Sequence, residues 1–168
     1  MMDFLYNPKG RISRKGYLMA YLIPWAIITQ LLPGLFGATP LAALFMVAGL
    51  FYLWPTYGAV PIKRFHDMGV SGKYQLGFIG LIILAGYITW NGILQTIPEG
   101  TDLGGMTQTE QLALMTNLLA ESSKAQLGAT LLFLVTLAQI LLFLLVKGDK
   151  GSNAYGDDPM ATGRGFAS

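Results

Sequence analysis

The sequence predicts an all-α integral membrane protein with four transmembrane helices, both termini in the cytoplasm, and a short amphipathic helix on the outer side. Three observations carry that expectation. Hydrophobic residues make up 53% of the 168-residue chain and charged residues only 12%, about half the charged share of an ordinary soluble domain. Four stretches, residues 17–36, 41–62, 76–97 and 127–146, contain no Asp, Glu, Lys, Arg or His. Each reaches the roughly 20 residues that a helix needs to cross the hydrocarbon core. The remaining charge is segregated, because of the eleven Lys and Arg residues Lys124 alone falls on the far side.

That segregation sets the orientation. Lys9, Arg11, Arg14 and Lys15 precede the first span, Lys63, Arg64 and Lys73 separate the second from the third, and Lys147, Lys150 and Arg164 follow the fourth. Lys124 stands among Glu99, Asp102, Glu110 and Glu121. Basic connections stay in the cytoplasm, so both termini are expected inside. The first apolar run is too long for a signal-peptide core and lacks a cleavage motif, so no cleavable leader is expected.

Taken in order, the first span carries Pro24 and Pro33 and the second Pro55, each expected to kink its helix. The turn at 37–40 is short enough to make these two spans a helical hairpin. Gly77, Gly80 and Gly86 give the third span a surface that admits close helix approach. Between the third and fourth, Thr107 and Glu110 fit a capping box. Leu112, Met115, Leu118 and Leu119 then recur at helical spacing, so a short helix on the outer surface is expected, with a disordered loop as the alternative. The tail at 147–168 is rich in Gly, Asp and Ser, and is expected to order only where it meets the other cytoplasmic segments. The whole chain reads as a single membrane domain.

Polar side chains inside the spans fall at two depths. Counted at about 1.5 Å per residue, Gln30, Thr89 and Asn91 lie roughly 20 Å from the cytoplasmic end, and Gln139, Thr56 and Tyr57 roughly 10 Å. Interhelical hydrogen bonds of this kind contribute about 0.6–2 kcal/mol, so contacts of span one with three and of span two with four are expected. A polar substrate path is the other reading. No ionisable group except tyrosine lies within a span, which argues against a proton-coupled transporter or ion pump.

Several chemistries are excluded or disfavoured. Without cysteine there is no disulfide, thiolate ligand or cysteine nucleophile, and one histidine cannot build a zinc or haem site. The net charge of +2 is too small to suggest nucleic acid. No nucleotide-binding loop or serine-hydrolase motif occurs. Asp149, Asn153, Asp157 and Asp158 do not have calcium-loop spacing. No cofactor, metal or enzymatic activity is expected. A general base at His66 oriented by Asp67 is a minor alternative.

Three polar segments converge on the cytoplasmic face: 9–17, 63–73 and 147–159. Their motifs are Gly10-Arg11-Ile12-Ser13-Arg14, Arg64-Phe65-His66-Asp67-Met68-Gly69 followed by Ser71-Gly72, and Gly151-Ser152-Asn153-Ala154-Tyr155-Gly156-Asp157-Asp158-Pro159. In these the chain resembles the small bacterial inner-membrane proteins grouped as domain of unknown function 805. It departs from them at Met68, Val70 and Lys73, where members often carry Thr, a basic residue and an aromatic, and residues 98–126 have no alignable counterpart. The resemblance implies a multi-pass protein of the bacterial inner membrane and supplies no activity.

Two arrangements of these segments are open, and they can coexist. In a cytoplasmic clasp, Asp67 pairs with Arg14 or Arg64 while Asn153, Tyr155 and Asp157 of the tail dock at the His66 loop. In an anion site, Arg11, Arg14, Lys15, Lys63, Arg64, His66 and Lys73 ring the headgroup level, and Arg14 or Arg64 grips a phosphate with two parallel bonds. The expected role is non-enzymatic: a lipid-associated or partner-binding subunit. The expected partners are membrane lipids, anionic ones above all, a membrane protein, or further copies of the chain. A small transporter or channel formed by oligomerisation is the rival.

Overall fold

The computed structural model describes residues 2–36, 39–102 and 104–161. Gly37 and Ala38 of the expected hairpin turn, and the basic Arg164, lie outside the described residues. Among the described residues the chain is helical and contains no strand.

The helices are α1 (Met2–Tyr6), α2 (Arg14–Phe36), α3 (Pro40–Phe51), α4 (53–67), α5 (Tyr74–Thr96), α6 (Gln108–Glu121) and α7 (Ser123–Leu145). Three of them, α2, α5 and α7, are long and apolar enough to cross a membrane. Only 6%, 11% and 17% of their apolar windows is buried by the rest of the chain. Faces so apolar and so uncovered suit lipid rather than water, as in a multi-pass membrane protein.

The stretch expected as the second span is not one uninterrupted helix. It divides at Tyr52, which leaves the α-helical path as a turn between α3 and α4. Pro55 is the cause. It has no N–H to offer the carbonyl four residues back, and its ring crowds that turn. The helix resumes as the Thr56 N–H donates to the Tyr52 carbonyl at 2.8 Å, and Pro55–Ala59 winds as a π-turn before the α-helical register returns. In α2 the chain runs continuously past Pro24 and Pro33, with π-turns at Tyr17–Leu22 and Ile27–Leu31. Wide turns of this kind absorb the register lost at a proline.

The chain forms two compact units. One comprises residues 1–77 and 140–168. Its core is aromatic and centred on the fully buried Phe143, which meets Phe65 edge to face at 5.1 Å and Tyr17 at 5.3 Å between ring centroids. Ile12, Val60 and Ala59 of the same unit are fully buried as well.

The other unit comprises residues 78–139. Here α5 and α7 approach so closely that a Cβ at Gly92 would overlap the Ala125 backbone, and one at Gly128 would overlap Thr89. Small residues allow this contact. Ser122 joins the two helices at one end: its hydroxyl donates to the Gly92 carbonyl at 3.1 Å and accepts from the Ala125 N–H at 3.2 Å, capping α7. The Thr107–Glu110 capping box opens α6, with the Thr107 N–H on the Glu110 carboxylate at 2.7 Å.

Several polar groups of the apolar stretches have partners within their own helix or unit. Gln30, expected to reach Thr89 or Asn91, is exposed and donates to its neighbour Thr29 at 3.3 Å. The Thr89 hydroxyl donates to the Ala85 carbonyl one turn back at 2.9 Å. Asn91 accepts from Lys124 at 2.5 Å, so the far-side lysine reaches the third apolar stretch from the start of the fourth. The Tyr57 carbonyl accepts from Gln75 at 3.0 Å, its side chain is exposed, and Gln139 is buried. Hydroxyl bonds to a carbonyl one turn back, as at Thr89, are a local pattern common inside helices.

Candidate functional site

Local rules bring the three polar segments together at the ends of α2, α4 and α7. Ser13 caps α2, its hydroxyl accepting from the Gly16 N–H at 3.0 Å, and this fixes Arg11 and Ile12 just ahead of the helix. The end of α4 is a Schellman motif. Gly69 takes a positive φ of 70°, its N–H donates to the His66 carbonyl at 3.1 Å, and the Val70 N–H reaches back to the Phe65 carbonyl at 2.9 Å. That reversal leaves Arg64 and Asp67 one turn apart on the inner face of α4.

Asp67 binds two guanidinium groups. Arg64 Nη1 donates to Oδ2 at 2.6 Å, and Arg11 donates to Oδ1 from Nη2 at 3.2 Å and from Nε at 3.3 Å. Both arginines are fully buried and Asp67 nearly so. Two cations and one anion leave a net positive charge, which backbone carbonyls absorb. Arg11 donates to the carbonyls of Asp149 and Gly151, both at 2.6 Å, and of Gly156 at 3.3 Å. Arg64 donates to the carbonyl of Phe143 at 2.9 Å and to that of Val146. Arg14 adds a long bond to the Leu145 carbonyl at 3.4 Å. The last carbonyls of α7 have no partners inside the helix and carry the negative end of its dipole, so the arginines cap it.

Burial pushes the Asp67 carboxyl upward, and Arg64 and Arg11 oppose that shift. Burial likewise lowers Arg64, and Asp67 opposes it. The cluster is held ionised by mutual contact, since either partner alone would be a buried uncompensated charge.

The tail closes over this cluster. The Asp149 N–H donates to the Asp67 carbonyl at 2.7 Å. Residues 153–156 form a tight hairpin, with Asn153 N–H to Gly156 carbonyl at 3.0 Å and the reverse bond at 3.2 Å. Asn153 Nδ2 donates to the His66 carbonyl at 3.0 Å, and the Tyr155 ring lies flat on the His66 imidazole. Nδ1 of His66 faces the Gly10 carbonyl at 3.1 Å. A carbonyl can only accept, so Nδ1 carries the proton. Burial lowers the pKa of His66, opposed by that bond to Gly10. Farther along, Asp158 accepts from the N–H groups of Met160 and Gly151, and these two bonds lower its pKa. Asp157 accepts from the Ser152 hydroxyl at 2.9 Å.

The basic residues proposed from the sequence as an anion ring therefore separate into two groups. Arg11, Arg64 and Lys63 point inward onto protein acceptors, Lys63 donating to the Phe4 carbonyl at 3.0 Å, and they have no surface to offer a phosphate. Lys15 and Lys73 are exposed and Arg14 is half-buried. Asp67 pairs with Arg11 and Arg64; of the two partners expected for it, Arg14 is replaced by Arg11. The sequence reading also missed Lys147 and Lys150, exposed beside the cluster, and Gly148, where a Cβ would overlap the Asp67 carboxylate.

The fold and this site define an apolar helical protein of multi-pass membrane type whose polar segments are bound into one buried ionic knot. The chain belongs to the family described as Protein of unknown function (DUF805), whose family model matches residues 5–157 and so takes in all three knotted segments. No curated protein and no solved structure matches the chain.

Proposed function

We propose that this protein is a non-enzymatic, lipid-associated or partner-binding subunit of the bacterial inner membrane. It crosses the membrane four times, with α3 and α4 together as the second crossing, keeps both termini in the cytoplasm, and carries α6 on the outer surface. Recognition runs through the basic cytoplasmic face. The observation that supports this reading is the division of labour among the basic residues. Arg11, Arg64 and Lys63 are buried and spent on protein acceptors, whereas Lys15, Lys147 and Lys150 project from the same platform into solvent. A rigid base with a cationic surface at headgroup level suits anionic lipid or an acidic partner.

Orientation is directly testable because the chain has no cysteine. A single cysteine at Ser152 should react with an impermeant maleimide only after the inner membrane is opened, and one at Thr101 should react from outside. Function is tested by native mass spectrometry of protein released gently from its own membrane. Retained anionic lipid or a protein partner is the expected result. Bare protein that conducts ions or solutes in pure liposomes would instead make it an oligomeric transporter or channel.

A further inference from the structure

Beside the knot, the start of α2 and the end of α7 enclose a groove of about 980 Å³. Arg14, Lys15, Lys147 and Lys150 line it at one level, and Leu18, Met19 and Leu144 line it further along the helices. Met160 also reaches it from the tail. Of the acidic residues in its wall, Asp67 is neutralised by Arg11 and Arg64, whereas Asp149 and Asp158 keep their charge and accept from Asn153 and from the N–H groups of Gly151 and Met160. Four cations against two unpaired carboxylates leave the groove net cationic.

We propose that this groove is a binding site for one anionic phospholipid, with the phosphate among Arg14, Lys15, Lys147 and Lys150 and an acyl chain along Leu18, Met19 and Leu144. The assignment rests on the reading of a lipid-associated membrane protein and names its site. Three features favour a lipid over a soluble phosphate compound. The cationic level coincides with Arg14 and Leu145, the first residue of α2 and the last of α7, where each long apolar helix ends. The apolar wall begins immediately past that level, at Leu18 on α2 and Leu144 on α7. Met19 of that wall is exposed, as is Leu145 next to Leu144, so apolar surface suited to an acyl chain continues past the groove. Lysines, as strongly hydrated point charges on flexible stems, suit a headgroup that stays partly in water, in contrast to the arginine forks committed to the knot.

The test is titration of the full chain, in a micelle of zwitterionic detergent, with dioleoyl phosphatidylglycerol, read by native mass spectrometry. Dioleoyl phosphatidylcholine and free glycerol 3-phosphate serve as comparison probes. Two charge-matched variants are compared, Lys147→Ala/Lys150→Ala in the groove and Lys9→Ala/Lys73→Ala outside it; all four lysines are exposed, so the fold is not at stake. At about fivefold per basic residue near an anionic headgroup, the groove pair should weaken phosphatidylglycerol binding by roughly 25-fold. The control pair should change it less than about threefold. Preference for phosphatidylglycerol with equal losses in both variants would leave lipid association standing and overturn the groove, because diffuse surface charge would explain the binding. Tight binding of glycerol 3-phosphate would overturn the lipid assignment in favour of a soluble anion. No preference over phosphatidylcholine in any sample would overturn both the groove and the lipid-associated reading.

Discussion

The imidazole of His66 and the phenol ring of Tyr155 stack face to face, with centroids 4.0 Å apart and planes 3° from parallel. One side chain thereby senses all three polar segments. It belongs to the end of α4, its Nδ1 meets the Gly10 carbonyl, and its ring face carries the tail. Losing the stack should loosen the hairpin at 153–156 and leave the helices in place.

Burial lowers the pKa of His66 in the docked state below the ordinary value of about 6.5. The undocked state then binds the proton more readily, so docking is fully favoured above about pH 6.5 and weakens as pH falls below it. Amides at 151–156, corrected for intrinsic rate, should exchange faster at pH 5.5 than at 7.5. His66→Phe keeps an aromatic face without a titrating group and should flatten that dependence. A wild-type profile equally flat would show that His66 does not govern docking.

Asp67→Ala would strand two buried guanidinium groups. Breaking a buried pair from one side costs about 3–5 kcal/mol, so a large fall in the detergent-unfolding midpoint is expected. Amide exchange across 147–159 should rise at the same time. If neither moves, the arginines are held by carbonyls alone.

Arg11→Lys tests geometry at constant charge. Arg11 uses Nε, Nη1 and Nη2 on four residues, Asp67, Asp149, Gly151 and Gly156. An ammonium on a single stem cannot reach them together, and each buried acceptor left unpaired costs about 1–3 kcal/mol. The variant should lose tail protection nearly as fully as Arg11→Ala, which thermal melts and exchange would both register.

Glycine substitutions should rank by what surrounds them. A Cβ at Gly148 would run into the Asp67 carboxylate, whereas one at Gly151 meets nothing within 4 Å and suffers only from its φ of 75°. Gly148→Ala should therefore destabilise more than Gly151→Ala, for which about 1 kcal/mol of backbone strain is expected. Equal unfolding midpoints would argue against close packing of the tail on α4.

Apolar length alone located α2, α5 and α7, because a helix that meets lipid on most sides needs little else. The Thr107–Glu110 pair likewise announced the start of α6, since a capping box is local. The interruption at Tyr52 was harder to read. Pro55 suggested a kink, but whether a proline bends a helix or divides it depends on packing around the freed carbonyl. The knot was half legible. Arg64 and Asp67 share a helix face at a spacing of three, whereas Arg11 reaches Asp67 across 56 residues and no local pattern signals that. Charge by itself pointed these arginines at headgroups. The residue types held a finer clue, since the most deeply buried guanidinium forks face arrays of carbonyls and the exposed cations beside the groove are mostly lysines.

The five carbonyls that receive Arg11 and Arg64 all lie between residues 143 and 156. Arg11 is made 140 residues ahead of its Gly151 acceptor. During synthesis neither guanidinium group can meet these acceptors until the last apolar stretch and the tail have been made. The knot is thus a seal that only a full-length, correctly threaded chain can close. A nascent chain whose final helix fails to insert keeps two unquenched arginines and a bare helix-end acceptor set apart, a feature by which quality-control proteases could tell it from the finished protein.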